Sequence, residues 1–305
     1  MGMTGECNVF ISSTILSIDV VSIIITFIHI ILLKTTPGSS RPNHFWILIS
    51  LPLAGILISL SLTLNTSCLI HDIQLSANHV IGSAFLLTVR ESATQSRYLL
   101  LLVASLDRFY AVCRPFKYST SIVINNLGKT SLVAFLVSLV MPVAKLFVMS
   151  ESLCLSGESG PGFLNGSDLH KLLITVINIL LIILLAVVTA ILLENVGWEI
   201  KNMKRKAAGT EDQEMKTTSK YILGTCIMFY STVVPHFLFM IVAVVLKEQL
   251  NAKIFEPLVS IFWVLQSLYG IGNVLFYAYL HPSYVKRCKS FVKHRRTLVR
   301  VFPKV

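Results

Sequence analysis

Residues 172–193 read LLITVINILLIILLAVVTAILL, with no charge between Lys171 and Glu194. Roughly 20 apolar residues cross the hydrocarbon core of a bilayer as a helix. Inside lipid every backbone N–H and C=O must be satisfied within the protein, which leaves helices or a closed barrel. The apolar residues here are continuous and do not alternate with polar ones, so a barrel is excluded. A buried soluble bundle would need amphipathic helices, which these runs are not. The stretch belongs to a segment at 172–197, and on either side of it six further segments qualify, at 10–33, 45–68, 79–113, 130–149, 219–246 and 257–280. The third is the longest and the most polar. The expected fold is therefore an all-α membrane protein, a seven-transmembrane helix bundle. Composition agrees: 54% of the chain is hydrophobic, 13% is charged and the mean hydropathy is +0.74, values at which a soluble domain would expose large apolar patches.

No Pro/Gly/Ser-rich linker and no internal repeat divides the 305 residues, which predicts one domain over 1–305 with a tail at 281–305. The first segment lacks a basic n-region and a small-residue cleavage site, so it reads as a retained span. Basic residues set the orientation. The connections sharing a side with the C-terminus hold Lys34, Arg41, Arg108, Arg114, Lys117 and Lys129, then Lys201, Lys204, Arg205, Lys206, Lys216 and Lys220. The tail adds eight more cations, from Lys286 to Lys304, and no acid. The opposite side has only Lys145, Lys171, Lys247 and Lys253. This places the N-terminus outside and the tail in the cytoplasm, in the plasma membrane. It also makes the net charge of +11 a topology and anionic-lipid signal. A nucleic-acid partner would need a soluble basic face, which is absent.

Six cysteines are scattered with no metal-ligand spacing, and no metal or cofactor is expected. By the topology Cys7, Cys68 and Cys154 face the oxidising exterior. Cys68 with Cys154 is the expected bridge, tying the end of the second segment to the second outer loop, and Cys7 leaves an odd thiol. Asn165-Gly166-Ser167 in that loop is a glycosylation sequon.

The third segment ends in Asp107-Arg108-Phe109-Tyr110-Ala111-Val112-Cys113-Arg114-Pro115-Phe116-Lys117-Tyr118. This resembles the D-R-Y-x-A-I-C-x-P-L-x-Y signature of rhodopsin-like G protein-coupled receptors, odorant receptors in particular. An arginine at a helix end can simply snorkel to the interface, but a match in register along the whole stretch argues against that reading. The resemblance implies that Asp107 neutralises Arg108 at rest. It also implies that Arg108, with Phe109 and the Pro115 loop, meets a heterotrimeric G protein once the cytoplasmic side opens.

Asn273-Val274-Leu275-Phe276-Tyr277 resembles the family's N-P-x-x-Y, with Val274 in place of proline. The segment from His281 to Phe291 resembles its short amphipathic eighth helix, with Tyr284, Val285 and Phe291 interleaved with cations. Cys288 there is a candidate for palmitoylation, and an unmodified cysteine in a basic tail is the equal alternative. Phe229 and Pro235 are spaced like the family's aromatic-then-proline switch, with Val233 where tryptophan is usual. The proline removes one backbone hydrogen bond and permits a kink. Leu48 to Leu60 reads like the family's second-helix pattern with Gly55 in place of its acid; segment four has no tryptophan and segment five no proline. The resemblance covers the whole chain in topology and segments three and seven in sharp motifs, as in a divergent branch.

Charges inside a membrane are expensive and mark functional sites by default. Arg90, Glu91 and Arg97 all precede Asp107 on one helix. Arg90 lies 18 residues before Arg108, about five turns and roughly 27 Å toward the outer mouth on the same face. In the family that position commonly touches ligand. An arginine there favours an anionic or carbonyl-bearing ligand, with Glu91, Thr94 and Gln266 as neighbouring candidates. The alternative is internal pairing of Arg90 or Arg97 with Glu91, Asp19 or Gln266. Arg97 matches a position lining the sodium site of many relatives, whose acid is here Gly55, so the resemblance implies that sodium does not act on this chain.

Short outer loops, apart from 150–170, leave no domain to capture a protein hormone. The expected function is transduction of a small extracellular ligand, an odorant or other chemosensory cue, to a heterotrimeric G protein. Ser267, six residues before Asn273, stands where an opsin needs its retinal lysine. An enzyme is disfavoured: Gly128-Lys129-Thr130 mimics the end of a P-loop, but Val123 replaces its first glycine. The alternatives are a non-signalling pseudoreceptor, suggested by Val274 and Gly55, and a small-solute transporter or channel, which would show broken helices and repeat symmetry.

Overall fold

The computed structural model describes residues 2–35, 45–70, 77–118, 126–144, 169–203, 210–245, 252–282, 284–286 and 288–290. Among these no strand occurs. The long helices are α1 (Gly2–Lys34), α2 (Phe45–Ile70), α3 (Ala77–Cys113), α4 (Leu127–Ser138), α5 (Leu169–Met203), α6 (Thr210–Val245) and α7 (Ala252–Leu280). A helical turn, Pro115–Tyr118, follows α3. The described residues beyond His281 are helical as well, with Tyr284 buried and Lys286 and Lys289 exposed. Proline opens the turn after α3 at no cost, because a first-turn N–H has no intrahelical partner.

Several helices run past the apolar windows that locate them in the sequence. α1 begins at Gly2, not near residue 10, and α6 at Thr210, not near 219. Hydropathy marks only the part of a helix inside lipid, and the helical hydrogen-bond ladder need not stop at that boundary. α4 begins at Leu127, and 145–149 of the expected segment lie outside the described residues. Its regular ladder breaks at Leu139, whose N–H turns back to Leu136 O at 3.2 Å, before helix resumes over 140–144. Pro142 has no N–H to give Ser138 O, and that accounts for the break.

Among the described residues, four stretches are long and apolar enough to cross a membrane by length and composition alone: Ser13–Lys34, Phe45–Leu64, Leu127–Ala144 and Val176–Asn202. α3 is kept from that set by Arg90, Glu91, Arg97, Asp107 and Arg108. It is the helix around which the others gather. α3 packs on α2, α4, α5 and α6, α7 packs on α6, and α1 joins α7 to α2, closing the ring. Leu100, Leu101, Ala104 and Tyr98 of α3 are buried with Ile47 and Leu48 of α2, Tyr221 and Phe229 of α6, and Tyr277 of α7. α5 lies at the rim, with Leu180, Leu184, Val187 and Ile191 turned outward. Hydroxyls within the spans bond back to carbonyls of their own helix, as Thr88 does to Ala84, Ser92 to Thr88, Ser105 to Leu101 and Thr189 to Leu185. With no water to turn to, that is the cheapest way to satisfy them.

Candidate functional site

At the C-terminal end of α3 the Asp107 and Arg108 side chains are both buried. Arg108 Nε donates to Asp107 Oδ2 at 2.9 Å, and Arg108 Nη2 reaches the same oxygen. The Tyr118 hydroxyl donates to Asp107 Oδ1 at 3.1 Å. The helical turn opened by Pro115 is what brings Tyr118 back to α3. Each hydrogen bond to a charged group contributes on the order of 1.5–3 kcal/mol, so the carboxylate is held by a closed latch of three donors. Phe109 is half-buried with its ring edge-on to Tyr110 at 5.8 Å, and Pro115 is exposed.

One layer above, Asn273 of α7 is buried and its Oδ1 accepts from two α6 groups, Tyr221 OH at 2.9 Å and Thr225 Oγ1 at 3.1 Å. Tyr221 and Thr225 are four residues apart, so both face α7 from one side of α6. Tyr277, a turn below Asn273, stacks on His281 at 4.2 Å and meets Tyr221, Tyr284 and His29 edge-on. His29 Nδ1 and the Tyr284 hydroxyl are joined by a 2.8 Å hydrogen bond. This aromatic stack ties α1, α6, α7 and the helix beyond His281 together. Gly224 lets the Phe276 ring lie against the backbone of α6, where no side chain would fit. Cys288 is half-buried against the same cluster.

In the middle of the bundle, Phe229 of α6 is buried between Tyr98 of α3 and Tyr269 of α7, with ring centroids at 4.9 and 5.4 Å. Pro235, six residues on, lies within unbroken helix and is exposed. Arg97 is only 3% exposed and sets its guanidinium over the Tyr269 ring, 4.8 Å from its centroid. Among the described residues it makes no ion pair, and its Nε has no hydrogen-bond partner. The pairing with Glu91, Asp19 or Gln266 weighed from the sequence is thus replaced at Arg97 by an aromatic face. A Cβ on Gly55 would stand 2.8 Å from Arg97 Nη2, so the guanidinium fills the space where an acidic side chain would begin. A desolvated cation–π contact yields about 2 kcal/mol, and burying an ion costs several kcal/mol. The ring alone does not offset the burial.

Toward the N-terminal end of α3, Arg90 and Glu91 are half-buried neighbours, and the Glu91 charge acts on Arg90. The Thr94 hydroxyl is committed to Arg90 O at 2.9 Å, and Gln266 of α7 is half-buried. Gln95 Nε2 donates to Asn178 Oδ1 at 2.9 Å and joins α3 to α5. Cys154, Asn165 and the Cys68 side chain lie outside the described residues.

The structure thus gathers Asp107 with Arg108, and Phe229, Asn273 and Tyr277 along the α6–α7 seam. It adds Tyr118, Tyr221, Thr225, Tyr98, Tyr269, His29 and Tyr284, which sequence reasoning left unassigned. The signals were present but weak: Tyr118 closes the matched motif, Tyr269 is one turn before Asn273, and Tyr98 adjoins Arg97.

A ring of helices around a charged central span, latched at that span's C-terminal end, is the architecture of a seven-helix membrane receptor. The pattern of the 7 transmembrane receptor (rhodopsin family) matches residues 25–277, and the chain belongs to that family. A search of curated proteins found no match.

Proposed function

We propose that the chain transduces the binding of a small extracellular ligand, a chemosensory cue of the odorant kind, to a heterotrimeric G protein at the plasma membrane. The observation that carries this reading is the Asp107–Arg108–Tyr118 latch. A buried arginine held by its neighbouring carboxylate is a charge kept in reserve, usable only when the cytoplasmic side opens. Ligand bound beside Arg90, Glu91 and Gln266 favours a pre-existing open conformation by its differential affinity. α6 then swings about Pro235, the Tyr221–Asn273 bond breaks, Tyr277 turns, and Arg108 leaves Asp107 for the G protein, with Phe109 and Pro115 at the contact. In this reading the N-terminus and the Asn165 glycan are outside, Cys68 is bridged to Cys154, and Cys288 carries a palmitoyl chain.

The test is G protein activation in cells, basal and stimulated by a panel of small metabolites and odorants, comparing wild type with Arg108→Ala at equal surface expression. Signal in the wild type and none in the mutant is expected. An ion current that survives the mutation would replace the receptor reading with a channel.

A further inference from the structure

Arg97 carries a charge that the signalling route does not use. Its guanidinium is buried, its Nε is unmatched, and the described residues offer it the Tyr269 ring, not a carboxylate. Two further donors are buried and unmatched: the hydroxyl of Tyr269, whose ring lies under the guanidinium, and that of Tyr98, the next residue in the chain. The wall of α2 facing Nη2 is the bare backbone of Gly55. A guanidinium with two phenols is a donor set that carries positive charge. An ion buried in a membrane bundle without a partner is unstable, and charges there are paired as a rule.

We propose that Arg97, with the hydroxyls of Tyr98 and Tyr269, binds a small monovalent inorganic anion of about the size of chloride in the centre of the bundle. The anion is small because the surroundings are closed: Tyr98 and Ala93 of α3 and Ile58 of α2 are all nearly inaccessible. Because Tyr269 packs on Phe229 and Phe229 on Tyr98, the bound anion holds α3, α6 and α7 in one arrangement. A rival source of negative charge within the bundle is Asp19 of α1, which is fully buried, and the experiment separates the two.

The purified full-length chain in detergent is titrated with sodium chloride against sodium gluconate, an anion too large for the site, at constant ionic strength. Thermal unfolding is followed by the reaction of the buried Cys226 thiol with a dye. A saturable rise in Tm of a few degrees is expected with chloride and with bromide. It disappears in Arg97→Gln and persists in Arg90→Gln. Gly55→Asp places a carboxylate beside Nη2, so this variant is expected to match the chloride-loaded wild type and to ignore chloride. The proposal is overturned if the wild type shows no saturable response, or if the response survives in both Arg97→Gln and Gly55→Asp. It is equally overturned if Asp19→Asn and Arg97→Gln each lower Tm alike and the double variant is no worse, since Asp19 is then the counter-charge. The readout is stability, so failure here leaves the signalling proposal standing, and the reverse holds.

Discussion

Asp107 has two carboxylate oxygens and both are in use, one by Arg108 and one by Tyr118. The three donors are unequal. Arg108 must leave for signalling, whereas Tyr118 only steadies the acceptor it leaves. Tyr118→Phe removes one charge-assisted bond and keeps the ring. The expected result is a shift toward the open latch of about tenfold, corresponding to roughly 1.4 kcal/mol, read as raised basal G protein activation at equal surface expression. Asp107→Asn is expected to raise it further, and unchanged basal activity in both would show that the latch is not what holds the resting state. The Asp107-Arg108 pair was legible in the sequence because its partners are adjacent. Arg97 was legible as an anomaly, a cation where the chain should be apolar, but its partner was not. Tyr269 lies 172 positions along the chain, and nothing local to either residue announces that they meet.

Among the helices, one proline and one glycine act in opposite directions. Pro235 cannot bond Ser231 O, and Ser231 and Thr232 turn their hydroxyls back to Met228 O and Phe229 O at 2.9 and 2.8 Å, a pattern that favours bending. Pro235→Ala restores the missing bond and loses no packing, because the ring is exposed. Thermal stability is expected to rise while maximal ligand-stimulated signalling falls. A variant with both values unchanged would remove Pro235 from the mechanism. Gly270 does the reverse and holds two helices close, since a Cβ there would meet Ser22 Oγ of α1 at 2.7 Å. Gly270→Val is expected to destabilise the bundle by about 1–3 kcal/mol, as overpacking does, and a Tm equal to that of wild type would contradict the closeness of α1 and α7. Helix number and type could be read from apolar runs because lipid imposes them. Helix ends could not, because the ladder of α6 continues into polar sequence from Thr210, and the break at Leu139 depends on a proline three residues further on.

Over the whole molecule, charge decides what the bundle can bind. The resemblance to the family implies that Gly55 and Arg97 stand where many members have an acid and line a sodium site. Replacing sodium by a large organic cation, with chloride held constant, is expected to leave agonist affinity unchanged. A several-fold shift would mean that a cation still finds a site in the bundle. The number of spans was legible from the apolar runs, but the ring closure between α1 and α7 was not read from them, although Asp19, Ser22, Thr26 and His29 recur on one face of α1 and are all buried.

That closure has a consequence for how the chain is made. His29 and Tyr284 are 255 positions apart, and translation proceeds at about 5–20 residues per second. The histidine therefore enters the bilayer roughly 13–50 seconds before its phenol leaves the ribosome. Throughout that interval a polar ring sits in lipid without the hydroxyl it bonds in the finished bundle, and no arrangement of the first six helices can supply it. The nascent protein stays recognisably unfinished until its last helix is delivered.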